Sequence, residues 1–165
     1  CSICDGPLYR GKNATLAVVG SDNTAAQHAL TLARTVDKVL LICRSHRPKM
    51  DAVHKDQIEQ QKNITLIVNT EVCGYNGQES VETITLEAKE KGQERLPVDG
   101  IFLAIGWRPN TSALSLDIQK TTEGYLKTDE KLMTSVPGLF AAGDVRDTDM
   151  WQVLTACADA ARAAK

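Results

Sequence analysis

The sequence has 165 residues, a length that suits one ordinary domain or one small domain plus part of another. With 42% hydrophobic residues, 24% charged residues and a net charge of -2, it is an ordinary globular composition with no global field for nucleic acid or an anionic membrane. No apolar run approaches the ~20 residues of a membrane helix, and the opening residues do not read as a signal peptide.

Residue 1 is a cysteine, so the sequence reads as a piece of a longer product. Thr15-Leu16-Ala17-Val18-Val19 reads as a buried strand ended by Gly20. Residues 23–35 follow as a helix, with Ala25, Ala29, Leu32 and Val36 on one face. Residues 38–42 are a second apolar strand, which completes a β-α-β unit of parallel-sheet spacing. Pro48 and Asp51 open a polar helix to about Gln61, and residues 64–68 are a third strand. The period then changes. Alternating stretches at 71–73, 81–87 and 95–98, separated by Asn76-Gly77 and Lys91-Gly92, predict an antiparallel meander inserted into the parallel fold. The charges of Glu87, Lys89, Glu90 and Lys91 read as a solvated hairpin. Residues 99–105 return to the sheet.

After Gly106 the character shifts. Trp107-Arg108-Pro109-Asn110 is a loop, residues 125–128 a small strand, and residues 139–142 an apolar strand stopped by Gly143-Asp144. Residues 151–164 form an alanine-rich helix. The fold class is α/β: a Rossmann-like parallel sheet with an inserted meander, then part of a second domain.

The loop Gly20-Ser21-Asp22-Asn23-Thr24-Ala25 lies between a strand and a helix, the context of a dinucleotide fingerprint. Gly20 supplies the tight turn, Ala25 is small enough for helix–strand contact, and the Asn23 and Thr24 amides face a phosphate. Asp22 stands at the second glycine position, where its β-carbon and charge oppose a pyrophosphate. The second strand ends in Cys43-Arg44-Ser45-His46-Arg47-Pro48-Lys49, with no acid to hold ribose hydroxyls. Arg44, Arg47 and Lys49 suit a 2′-phosphate, which favours NADP over NAD; the bland alternative is a solvated basic loop.

Five cysteines, an odd number, argue against a secreted disulfide framework and for a reducing cytoplasm. Cys1 and Cys4 are spaced so that one attacks a partner's disulfide and the other resolves the mixed disulfide. Asp5 beside them relays protons. A zinc site would need two more ligands at suitable spacing, and inert structural cysteines are the remaining alternative. Cys73 and Cys157 read as inert, His28 and His54 as solvent-facing, and Trp107 and Trp151 as packing residues near a domain junction.

In ordered blocks the chain resembles the low-molecular-weight thioredoxin reductases. The blocks are Cys1-Ser2-Ile3-Cys4-Asp5-Gly6, Tyr9-Arg10-Gly11-Lys12, the loop from Gly20 to Ala25, Leu103-Ala104-Ile105-Gly106-Trp107-Arg108-Pro109-Asn110, and Pro137-Gly138-Leu139-Phe140-Ala141-Ala142-Gly143-Asp144-Val145. The resemblance implies that Cys4 faces a flavin, Cys1 attacks thioredoxin or a similar protein, and Asp5 is the acid. It places FAD against Gly143, Asp144, Val145 and Gln152, with Ile105 and Gly106 at the domain junction. It also implies two alternating domain orientations and a homodimer, with no nucleic-acid or membrane partner. Residues 1–106 then form the NADPH-binding domain, and residues 107–165 the C-terminal portion of an FAD-binding domain whose N-terminal portion is absent. Alone, these residues are expected to be colourless and inactive, with the segment after Gly106 lacking sheet partners.

Two departures matter. Asp22 replaces a usual glycine, and Cys43-Arg44-Ser45 with Lys49 replaces the family's His-Arg-Arg run and later arginine. Some family members take electrons from ferredoxin instead of NADPH. Three functions therefore stand: an NADPH-dependent thioredoxin reductase; a related flavoprotein with another donor or dithiol use, such as a peroxide-reducing system or a dithiol oxidase; and a non-catalytic nucleotide-binding module.

Overall fold

A computed structural model describes residues 1–88 and 92–165. Lys89, Glu90 and Lys91, read above as part of a solvated hairpin, lie outside the described residues. The chain divides into two compact units, Cys1–Ile105 and Gly106–Lys165.

In the first unit, β1 (Thr15–Val19), α1 (Asn23–Leu32), β2 (Lys38–Ile42), α2 (Ala52–Gln60) and β3 (Ile64–Ile67) follow one another, and β7 (Gly100–Leu103) comes last. Between β3 and β7 lie β4 (Thr70–Asn76), β5 (Thr83–Ala88) and β6 (Gly92–Pro97). The parallel sheet has the order β3-β2-β1-β7, and the antiparallel sheet the order β4-β5-β6. Register in the parallel sheet pairs Ala17 with Leu40 and with Ile101.

Both faces of the parallel sheet are covered, which is why its strands read as unbroken apolar runs. Successive side chains of a strand point to opposite faces. Leu16, Val18, Val39, Leu41 and Phe102 join Ala25, Ala29, Leu32 and Ile58 on the helical side. Ala17, Leu40 and Ile42 pack instead with Ile84, Leu86 and Val98 on the meander side. The inserted meander is thus the second cover of the sheet. A register shift between Val72 and Gly74 bends β4.

α1 stops at Leu32, short of the predicted residue 35, and continues as turns. Beyond Leu32, Thr35 Oγ1 donates to Leu32 O at 3.0 Å, alongside the Thr35 and Val36 amides, and Asn63 Nδ2 donates to Ala33 O and Val36 O at 2.8 and 3.0 Å. Such bonds compete with helix propagation.

In the second unit, α3 (Val153–Ala163) packs on a short 3-10 turn, Gly143–Val145. The strands predicted at 125–128 and 139–142 are reduced to single bridges, Leu126 with Lys120 and Arg146, and Phe140 with Met133. Local bonds replace the ladder. Asp129 Oδ1 accepts from the Lys131 and Met133 amides at 2.9 Å each, and Thr134 Oγ1 accepts from the Val136 amide at 3.2 Å. The buried cluster is small: Ile118, Leu126 and Ala141, with Val136, Leu139 and Val145 against it. Trp107, Val153 and Leu154 are more than 80% exposed, which corrects the reading of Trp107 as a packing residue. Among the described residues no helix is long and apolar enough to cross a membrane.

Candidate functional site

The dithiol segment is a helical turn. The Asp5 amide donates to Cys1 O at 2.8 Å and leads into the 3-10 helix Gly6–Tyr9. Ser2 and Gly6 are buried, while Cys1 and Cys4 are exposed free thiols. A β-carbon on Gly6 would lie 2.8 Å from Leu32 Cδ2, so glycine lets the turn dock on α1 without moving the Leu32 side chain. Tyr9 then meets Phe102 edge-on, with centroids 6.2 Å apart. The turn is therefore anchored through its buried residues, and both sulfurs are left in solvent. The Asp5 carboxylate lies 2.7 Å from the Cys1 amino nitrogen.

His28, on the same helix one turn before Leu32, corrects the expectation of a solvent-facing residue. Its ring is half-buried, and its Nδ1 is buried without a hydrogen-bond partner among the described residues. Burial lowers its proton affinity, against an opposing pull from Asp22. His54, also half-buried, bonds the Asp51 carboxylate through Nδ1 at 2.8 Å.

The nucleotide loop is built around Gly20. A β-carbon there would collide with the Ala104 carbonyl oxygen and lie 2.8 Å from Ala25 Cβ. This is the close helix–strand packing that a dinucleotide turn requires. The loop is also tied to the basic segment: the Lys49 amide donates to Ser21 O at 2.6 Å, and the Asp51 amide donates to Asn23 Oδ1 at 2.8 Å. Arg44, Arg47 and Lys49 are exposed on that segment. Thr24 is exposed on the first turn of α1. Asp22 is the N-cap of α1, and its Oδ1 accepts from the Ala25 amide at 3.0 Å. A carboxylate already satisfies one of the donors that a phosphate would use, at the helix end that favours negative charge. Behind the loop, Cys43 Sγ donates to Gly20 O at 2.9 Å, and burial pushes its thiol up to about 11.

In the second unit, a cleft of about 510 Å³ is lined by Trp107, Arg108, Pro109, Asn110, Tyr125, Asp144, Val145 and Trp151. The Trp151 and Tyr125 rings meet at a tilt of 34°, with centroids 5.9 Å apart. Asp144 is exposed and makes no hydrogen bond among the described residues. Gly143 adopts φ +74°, and its position against Ala156 leaves 3.1 Å for an added β-carbon. Gln152 does not line the cleft; its side chain and that of Thr155 form a capping box at the start of α3. Ile105 and Gly106 stand at the division between the units, Gly106 with φ +94°.

Sequence reasoning missed Asp159. It is the buried residue of α3, and it accepts from the Gly143 amide at 3.1 Å and from Arg146 Nε at 2.6 Å. A lone acid inside an alanine-rich helix was the available signal, because a buried carboxylate needs partners.

These residues fit the groups they would hold to different degrees. The basic segment suits a phosphate, and Gly20 suits a close backbone approach, but Asp22 opposes the pyrophosphate portion of a dinucleotide. The cleft suits one end of an aromatic ligand bearing hydroxyls: aromatic walls and a free carboxylate acceptor meet there. No group of three metal-ligating side chains comes together among the described residues.

Residues 1–162 match the family of pyridine nucleotide-disulphide oxidoreductases. A thioredoxin reductase of Borreliella burgdorferi is 35% identical over 160 residues, 96% of this chain and 48% of that protein. An NADH dehydrogenase of Bacillus subtilis is 34% identical over 99% of this chain and 32% of its own length. The crystal structure of T. acidophilum thioredoxin reductase superposes with a TM-score of 0.77 at 29% identity, over 99% of this chain and 54% of that one. The chain thus spans about half the length, or less, of the curated relatives it matches. An α/β sheet with a glycine turn, an exposed dithiol on its first helical turn and a family match over nearly every residue agree: this chain belongs to the pyridine nucleotide-disulphide oxidoreductases.

Proposed function

We propose that the intact protein is a thioredoxin-disulfide reductase that takes electrons from NADPH through FAD. The first unit is its nucleotide domain, and the second is part of its FAD domain. The observation that carries this reading is the dithiol: two exposed thiols on a turn whose buried residues anchor it to the nucleotide-binding unit. FAD and NADPH, when bound, supply the two electrons that open the Cys1–Cys4 disulfide. The Cys1 thiolate then attacks the disulfide of thioredoxin, and a thioredoxin thiolate leaves. Cys4 attacks the mixed disulfide, which regenerates Cys1–Cys4 and frees the reduced partner. Asp5 moves the proton between the thiols and solvent. Arg44, Arg47 and Lys49 hold the 2′-phosphate, and Asp144 accepts from hydroxyls of the flavin side chain.

One observation favours a second reading with the same dithiol and a different donor, such as ferredoxin. The Asp22 carboxylate sits on the Ala25 amide where a pyrophosphate would bind. A single titration separates the readings. Full-length flavoprotein is mixed in turn with NADPH, NADH and reduced ferredoxin, and flavin bleaching is followed. Bleaching by NADPH supports the first reading, and bleaching by ferredoxin alone removes it. Cys1→Ser and Cys4→Ser should each abolish thioredoxin reduction. Electron delivery to thioredoxin that survives both substitutions would show that the dithiol is not the relay.

A further inference from the structure

The turn that carries Asp144 is held from two sides. On one side, the Leu126 amide donates to Val145 O at 3.0 Å and the Asp147 amide donates to Leu126 O at 2.9 Å. On the other side the support comes from α3. Asp159 is 6% exposed, and its Oδ2 accepts from the Gly143 amide at 3.1 Å. The same carboxylate takes a fork from Arg146: Nε to Oδ2 at 2.6 Å and Nη2 to Oδ1 at 3.3 Å. Arg146 Nη1 also donates to Asp147 O at 3.3 Å.

We propose that Asp159, with Arg146, is a positioning residue that holds the Gly143–Val145 turn so that Asp144 faces the cleft between Trp107 and Trp151. This rests on the flavin reading of that cleft. Asp144 needs an external anchor because it makes no bond of its own among the described residues. Gly143 has φ +74°, which glycine adopts freely but does not lock, and its buried amide needs an acceptor. Asp159 provides that acceptor from a rigid helix, and the planar guanidinium sets the direction of the carboxylate. Burial of a carboxylate for packing alone is unfavourable when an apolar residue would fill the same space. Asp159 is also held below the usual carboxylate range, first by the bond from Arg146, so it remains an acceptor throughout the neutral range.

The test uses the full-length protein stripped of flavin. FAD dissociation constants are read from fluorescence quenching, and melting temperatures of the flavin-free form serve as the control. The informative variant is the paired apolar replacement Asp159→Leu with Arg146→Met, because such pairs are replaced without loss of stability in several proteins. It leaves the Gly143 amide without its acceptor, so it should melt slightly below the parent, yet bind FAD roughly tenfold more weakly, the equivalent of one charge-assisted hydrogen bond. Arg146→Lys, which keeps the charge and loses the fork, should weaken binding by roughly threefold and serves if the paired variant does not fold. Asp144→Ala is the reference. If Asp144→Ala binds FAD like the parent, the flavin reading fails and the positioning role falls with it. If Asp144→Ala weakens binding while the paired variant, or Arg146→Lys in its place, stays within twofold of the parent, the positioning role alone is overturned. A loss of affinity matched by an equal fall in the flavin-free melting temperature also overturns it, since Asp159 would then only stabilise the unit.

Discussion

The two units hold their loops in place by different means. The nucleotide loop of the first unit is suspended from backbone ladders: Gly20 donates its amide to Ile42 O at 3.0 Å, and the Ala104 amide donates to Val19 O at 2.7 Å. The Gly143–Val145 turn of the second unit hangs on one bridge residue, Leu126, and one buried side chain, Asp159. A ladder is cooperative and covered by two apolar layers, whereas a side-chain anchor stands or falls on single residues. The same kind of loop, a glycine turn beside a helix, is therefore robust in one unit and sensitive to single substitutions in the other.

The sharpest contrast is in core truncation. Leu41→Ala removes a fully buried side chain from the central layer and should destabilise the first unit by about 4 kcal/mol, while Leu126→Ala in the thin second core should cost about 2 kcal/mol. Amide hydrogen exchange resolved by unit measures both, and equal losses would erase the contrast. Gly20→Ala should cost about 3 kcal/mol in urea unfolding, because the obstructing neighbour is the backbone carbonyl of Ala104, which cannot turn aside. Asp22→Ala should cost only about 1 kcal/mol, the loss of a helix cap. The same substitution should tighten NADPH binding by the full-length protein, as read by calorimetry; unchanged or weaker binding would show that Asp22 does not oppose the phosphate.

The smallest expected effects are those of pH. The folded-state pKa of Asp159 lies below the ordinary 3.8, so its contribution is present above that value and is lost as pH falls through the depressed folded value. Acid should therefore release the Gly143–Val145 turn, visible as faster exchange of the Gly143 amide as pH falls. Cys43, raised to about 11, is protonated at pH 8, with about a thousandth of it as thiolate. Iodoacetamide at that pH should alkylate the exposed Cys1 and Cys4 and leave Cys43 untouched, and rapid labelling of Cys43 would contradict its burial.

Legibility in the sequence follows the same divide. The strands Thr15–Val19 and Lys38–Ile42 are readable because a two-sided cover demands continuous apolar residues, and a ladder propagates that demand along the chain. The meander is readable from alternation and the turn at Asn76-Gly77, although β4 runs longer than expected, to Asn76. The stretch at 139–142 has the same apolar look as a strand and is not one. It keeps one bridge, Phe140 with Met133, while the Asp129 and Thr134 side chains take up the Met133 and Val136 amides of the facing segment, and periodicity carries no trace of such bonds. The dithiol, the glycine turn and the basic segment were visible as residue types at telling spacings. That Asp22 lies on the Ala25 amide, that Asn63 closes α1, and that Asp159 reaches Gly143 were not.

The α/β order of elements, the closeness of Cys1 to Cys4 and the lack of an acid after β2 are all written in the linear chain. Each depends on neighbours a few residues apart, where spacing is informative without a fold. Folding in three dimensions added the side of the sheet that the meander covers, the fastening of the dithiol turn through Gly6 to Leu32, and the distant side chain that supports the Asp144 turn. Those contacts join residues far apart in the chain. They are selected by shape and by the need to satisfy buried polar groups, and neither leaves a local pattern to read.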